Sequence, residues 1–95
     1  MAKKIAAGNW KMNTSVAEGL ELASALAQAS IPEDVTVIIA PPFTHLMTIQ
    51  DSIVNSPVHL AAQNCHTEMS GAYTGEISPE VLADIGVSYV ILGHS

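Results

Sequence analysis

Three side chains with complementary chemistry stand where short apolar runs give way to polar residues. Asn9 and Lys11 follow Ile5-Ala6-Ala7-Gly8, and His94 follows Tyr89-Val90-Ile91-Leu92-Gly93. An amide can orient a polar ligand, an ammonium can offset an anion, and an imidazole can give or take a proton near neutral pH. Each also has a plainer reading: a turn or cap for Asn9, a solvated loop cation for Lys11, a locally hydrogen-bonded structural residue for His94. The functional reading requires that these residues, distant along the chain, share one surface.

A parallel strand-helix alternation would place them so. Strands are expected at Lys4 to Gly8, Val35 to Ala40, Val58 to Gln63 and Tyr89 to Leu92, where β-branched and apolar residues form short runs. The second run, Val-Thr-Val-Ile-Ile-Ala, suits burial on both faces. Between the first two strands, Ser15-Val16-Ala17-Glu18 has capping-box spacing. Val16, Leu20, Ala23, Leu26 and Ala27 then share one helical face, and the helix stops before Pro32. Pro41 and Pro42 end the second strand, and Thr44 is the expected cap of a second helix reaching Ile53 or Val54. Ser78-Pro79-Glu80 starts a third helix, which Gly86 stops. Strands in this order imply right-handed crossovers and a parallel sheet, with Asn9, Lys11 and His94 all at its carboxyl rim. The pattern does not choose between an open sheet and a closed barrel. No linker or repeat divides residues 1–95, so a single domain is expected.

Three stretches in register, Gly8-Asn9-Trp10-Lys11-Met12-Asn13, Ala61-Ala62-Gln63-Asn64 and Val90-Ile91-Leu92-Gly93-His94-Ser95, closely resemble the triosephosphate isomerase family. The resemblance runs from about Lys4 to Ser95 and selects the barrel. It implies a partial TIM (β/α)8 barrel of four parallel strands and three intervening helices, roughly half of an architecture that takes about 250 residues. It also implies interconversion of glyceraldehyde 3-phosphate and dihydroxyacetone phosphate, a step of glycolysis and gluconeogenesis, by proton transfer through an enediol or enediolate and without a cofactor. Lys11 would supply positive charge to the substrate and Asn9 would position it. His94 would polarise the carbonyl and move protons between the two oxygens. This family is itself the standard illustration of a histidine kept as neutral imidazole by a helix N-terminus, working with a glutamate base.

The resemblance further implies a homodimer in which the long loop Asn64 to Ile77 reaches into the neighbouring subunit. Gln63, Asn64, Thr74, Gly75 and Glu76 are the positions carried over to that interface; Thr74 would stand beside the partner's active site. Ser95 would be a hydroxyl near the site, able to bond the catalytic glutamate. None of the nine carboxylates present, from Glu18 to Asp84, matches that glutamate. The family's mobile lid and later phosphate loops are likewise unmatched. The 95 residues alone are therefore expected to be inactive, and oligomeric or poorly ordered because two strand edges and an inner face lack partners.

Composition narrows the alternatives. A net charge of -6, with all three cationic residues at Lys3, Lys4 and Lys11, leaves no basic patch for nucleic acid. A bound anion must rely on Lys11, on backbone N–H groups or on a further segment. No run approaches the roughly 20 apolar residues of a membrane span, and the first apolar run breaks too early for a signal peptide. A single cysteine, Cys65, cannot form an internal disulfide and fits a reducing cytoplasm. His45, His59 and His66 lack metal-ligand spacing with each other or with Cys65, so they read as surface or structural residues and no metal is expected. Cys65 beside His66 is a weak nucleophile signal, since neighbours on an extended segment point apart. The competing class is a non-catalytic α/β binding or regulatory domain. A receiver-like module would place acids after its first strand, where this chain has Gly8-Asn9-Trp10-Lys11.

Overall fold

The computed structural model describes residues 3–93. Strand β1 (Lys4–Asn9) leads to helix α1 (Val16–Gln28), strand β2 (Val35–Ala40), a 3-10 turn at Phe43–His45 and helix α2 (Leu46–Ile53). Strand β3 (His59–Ala62), helix α3 (Pro79–Ile85) and strand β4 (Tyr89–Val90) follow. The four strands form one parallel sheet in chain order, β1-β2-β3-β4. This is the expected partial (β/α)8 barrel. β1 pairs with β2 along its whole length, from Lys4 opposite Val35 to Asn9 opposite Ala40. Helices of the described residues are too short, or not apolar enough, to cross a membrane.

Alternation along the strands sorts side chains into two layers. Ile39, Leu60 and Ala62 join Ala23 of α1, Leu46, Ile49 and Ile53 of α2, and Leu82 of α3 in the main core, so all three helices cover one face. Ile38, Ala40 and Ala61 point the other way and form a small second cluster, with Ile91 packed against it. There, the rings of His59 and Tyr89 meet edge to face at 5.9 Å. Burial of β2 is confined to Ile38, Ile39 and Ala40, the end at which β3 pairs with it as well as β1.

Helix ends follow the chemistry of their termini. Ser15 Oγ accepts from the Glu18 N–H at 3.2 Å while Glu18 Oε1 accepts from the Ser15 N–H at 2.9 Å, completing the capping box. Ser78 Oγ accepts from the Glu80 N–H, and Gly86, at φ 105°, closes α3 by donating to the Leu82 and Ala83 carbonyls. A Cβ on Gly86 would fall 2.7 Å from Gln50 Nε2, so both conformation and space favour glycine.

Three expectations need correction. Thr44 caps no helix: it sits inside the 3-10 turn, and its hydroxyl bonds His45 Nδ1 at 2.8 Å instead. The diproline before it delivers the chain in a tighter turn, and α2 begins only at Leu46. On α1 the buried residues are Gly19 and Ala23, while Val16 is exposed, because the His45 and Trp10 rings pack against the helix at Gly19. The third and fourth strands are also shorter than expected: β3 stops at Ala62 and β4 at Val90.

Candidate functional site

The carboxyl ends of β1, β2 and β3 meet at one rim, and the turn after β1 is its centre. Trp10 N–H continues the ladder to the Ala40 carbonyl at 3.1 Å. The chain then leaves the sheet through two non-glycine residues with left-handed backbone, Lys11 at φ 57° and Thr14 at φ 75°. Such conformations cost about 1–3 kcal/mol each and persist only when neighbouring groups hold them. Asn9 Oδ1 accepts the Lys11 N–H at 2.9 Å, and Asn13 Nδ2 donates to the Trp10 carbonyl at 2.8 Å. Gln63 Nε2, arriving from the end of β3, donates to both the Lys11 and the Ala40 carbonyls at 2.8 Å. At the far end of the turn, His45 Nε2 contacts the Thr14 carbonyl at 3.0 Å. Net contributions of about 0.5–1.5 kcal/mol for each bond are of the size needed to offset the two strained residues.

This arrangement leaves the Lys11 side chain exposed, and among the described residues no carboxylate lies within ion-pair distance of it. Asn9 is exposed as well, its oxygen engaged and its amide nitrogen without a hydrogen-bond partner among the described residues. An ammonium and an amide donor thus stand together at the mouth of the concave face, which Ala7, Gly8, Ala40, Ala61, Tyr89 and Ile91 line with apolar surface. The pair is suited to an anionic or oxygen-rich ligand. β4 heads for the same rim, since Ile91 N–H bonds the Ala62 carbonyl at 2.8 Å. His94 and Ser95, the next expected site residues, lie outside the described residues.

The loop from Asn64 to Ile77 is compact. His66 N–H closes its base on the Ile77 carbonyl at 2.8 Å, and Ser78 Oγ donates to the Met69 carbonyl at 2.6 Å. His66 lies 3.4 Å from Glu76 Oε1, and its ring leans on Tyr73 with centroids 4.3 Å apart. Gly71 and Gly75 take positive φ, 132° and 88°, as the expected sharp turns require. Asn64, Thr74, Gly75 and Glu76 are exposed, as are the large apolar side chains of Met69 and Tyr73. Gln63 differs from the rest of that group, being half-buried and committed to the β1 turn of its own chain. Cys65 Sγ donates to the His66 carbonyl at 3.2 Å and makes no contact with the imidazole of the kind a nucleophile-base pair needs.

Two residues of the site escaped the sequence reading. Gln63 was assigned only to an interface, and His45 only to a structural or surface role. Their partners lie 52 and 31 residues away, so no local pattern marks them.

A family model described as triosephosphate isomerase matches residues 4–95. Among individual proteins, the chain is 50% identical to a triosephosphate isomerase of Alkaliphilus oremlandii over 100% of its own length and 38% of the relative's. It is 48% identical to that of Prosthecochloris aestuarii, with the same coverage. Identity to the Synechococcus sp. protein is 45%, over 96% of this chain and 37% of that one. The chain therefore spans well under half the length of the curated relatives it matches. With the parallel half-barrel and the Asn9–Lys11 turn at its rim, these matches place the chain in the triosephosphate isomerase family.

Proposed function

We propose that these residues supply the substrate-holding rim of an isomerase that interconverts glyceraldehyde 3-phosphate and dihydroxyacetone phosphate. The observation that carries this reading is the β1 turn, held in a strained conformation by bonds from β3 and from the 3-10 turn, with an exposed ammonium that has no ion-pair partner among the described residues and an amide donor on its outer side. Lys11 offsets the charge of the phosphorylated substrate and of the enediolate that forms from it; Asn9 donates to a substrate oxygen. His94 shuttles a proton between the two oxygens of the enediol. Removal of the carbon-bound proton requires a base of tuned pKa. That base, together with the remaining strand-helix units, falls in the part of the relatives' length that this chain does not span, and the 95-residue polypeptide alone is catalytically silent.

The exposed loop residues Asn64, Thr74, Gly75 and Glu76 serve as a homodimer contact in this reading, with Gln63 bracing the loop's root. The enzyme works in the cytoplasm as part of glycolysis and gluconeogenesis. The test is turnover of both triose phosphates by the chain extended with the remaining barrel units. Lys11→Ala and His94→Ala are each expected to lower kcat/KM by at least about 100-fold, the scale on which a preorganised charge or proton-transfer group acts. Absence of turnover in the unsubstituted extended chain, or unchanged rates in either variant, would refute the reading.

A further inference from the structure

His45 is the buried polar side chain among the described residues, 4% exposed, and it lies beneath the β1 turn, against Gly19 of α1. Nothing about the proposed chemistry uses it directly. Its two ring nitrogens are nonetheless both engaged. A carbonyl only accepts, so Nε2 carries the hydrogen and donates to Thr14 at 3.0 Å; in the neutral ring Nδ1 then accepts from the Thr44 hydroxyl at 2.8 Å. The contact joins the turn after β2 to the turn after β1. It lands on one of the two left-handed residues, at the position directly before the α1 cap Ser15.

Space around the ring is defined with equal care. A Cβ placed on Gly19 would sit 2.9 Å from His45 Cδ2, 3.1 Å from Trp10 Cζ3 and 3.2 Å from Thr14 Oγ1. Glycine in the first half of a helix is unfavourable to the helix itself, and here it admits the imidazole. The Thr14 hydroxyl is buried and has no hydrogen-bond partner among the described residues, and the bond that holds the turn here is to its carbonyl.

We propose that His45 is a positioning residue for Lys11. By fixing the Thr14 carbonyl it completes, with Gln63 at the Lys11 carbonyl, a two-sided brace that keeps the left-handed turn, and hence the ammonium, in its ligand-ready place. The proposal rests on the isomerase reading for the role of Lys11 and adds the residue that sets its geometry. Because the brace acts on a group that grips substrate before and during reaction alike, its loss raises KM more than it lowers kcat.

The experiment uses the extended, catalytically complete chain and three substitutions. His45→Phe keeps the ring but removes both nitrogens; His45→Asn keeps a polar partner for Thr44 but is too short to reach Thr14; His45→Gln retains a donor near the Nε2 position. Two readouts are taken: hydrogen exchange of the Lys11 to Thr14 amides, and the separate KM and kcat for dihydroxyacetone phosphate. An orphaned carbonyl at a strained turn should speed exchange in that segment about tenfold or more in the Phe and Asn variants. The same two variants should raise KM about tenfold with kcat changed less than about threefold, while the Gln variant stays near the parent on both readouts. Ile53→Val, in the core of α2, serves as a control that lowers the thermal midpoint without moving KM.

Unchanged exchange in both His45→Phe and His45→Asn overturns the brace. Faster exchange with an unchanged KM overturns its link to substrate. A Gln variant as impaired as the Phe variant, or an equal KM rise in Ile53→Val, assigns the effect to general destabilisation and also overturns it. If the unsubstituted protein shows no turnover, the isomerase reading fails, and the exchange comparison alone decides whether His45 holds the turn.

Discussion

Gln63 concentrates the logic of the rim in one amide: two N–H donors on a single nitrogen meet two carbonyls on two different strands' exits. Gln63→Glu is the sharpest test of that geometry. At pH 7 the introduced carboxylate has no donor and faces two carbonyl oxygens, so the variant should lose about 1–3 kcal/mol of stability, the scale for orphaned acceptors. Those same oxygens disfavour the charged form, raising the folded-state pKa of the new carboxyl above its unfolded value. The deficit should therefore shrink as pH falls through that raised value, because the protonated acid regains one donor. Urea midpoints for parent and variant at pH 7 and pH 5 check it; a gap that is constant or widens on acidification would show that Gln63 does not donate to these carbonyls. At this scale Asn9 and Lys11 were legible as rim residues because strand ends in a parallel sheet gather whatever follows them. The left-handed backbone at Lys11 and Thr14 was not legible, since neither is glycine and both are held by groups remote in sequence.

Helix boundaries were readable wherever one terminus carries its own chemistry. Ser15 with Glu18, Ser78 with Pro79, and Gly86 each solve a local hydrogen-bonding problem, and the structure uses all three as the sequence suggested. Thr44 failed because a hydroxyl caps a helix only if the chain enters there; the diproline and the His45 contact claimed it first. The box at α1 makes a prediction of its own. The Ser15 backbone N–H, and then its hydroxyl, hold the Glu18 carboxyl below its ordinary value of 4.5. A carboxyl depressed in the folded state contributes stability above its unfolded pKa and loses it as pH falls through the lower folded pKa. The stability difference between parent and Glu18→Gln should accordingly be level from pH 7 to about 5 and narrow below the unfolded value near 4.5. Ser15→Ala, which removes the cap oxygen, should lose about 1 kcal/mol across the neutral range. Denaturant titrations on the same buffers distinguish the two, and a pH-independent difference for Glu18→Gln would mean the box is not formed in solution.

At the scale of the molecule, the parallel order follows from the strand-helix alternation and its right-handed crossovers, which the sequence showed in advance. Curvature did not follow from the pattern: an open sheet and half a barrel share the same strand-helix rhythm, and only the family resemblance chose between them. Half a barrel has consequences for the 95-residue polypeptide on its own. β1 and β4 are each paired on one side, and Ile5 at 67% exposure and Leu92 at 74% leave large apolar surface at both margins. Among the described residues, the buried cluster on the concave face between them is small, Ile38, Ala40 and Ala61 with Ile91 packed against it. Unpaired parallel edges beside exposed aliphatic side chains favour association with further strands. The isolated polypeptide should thus sediment as a mixture whose mean mass rises with concentration, whereas the chain extended by the remaining strand-helix units should give one concentration-independent species in which these surfaces are covered. Ile5→Lys offers a way to separate edge pairing from general stickiness. It places a charge on the β1 margin, where burial against further strands would be costly, and it should suppress association of the isolated polypeptide while destabilising the extended chain. If instead the isolated polypeptide stays monomeric and melts in a single cooperative transition, the margins are not association surfaces, and the second core cluster would have to suffice for the concave face.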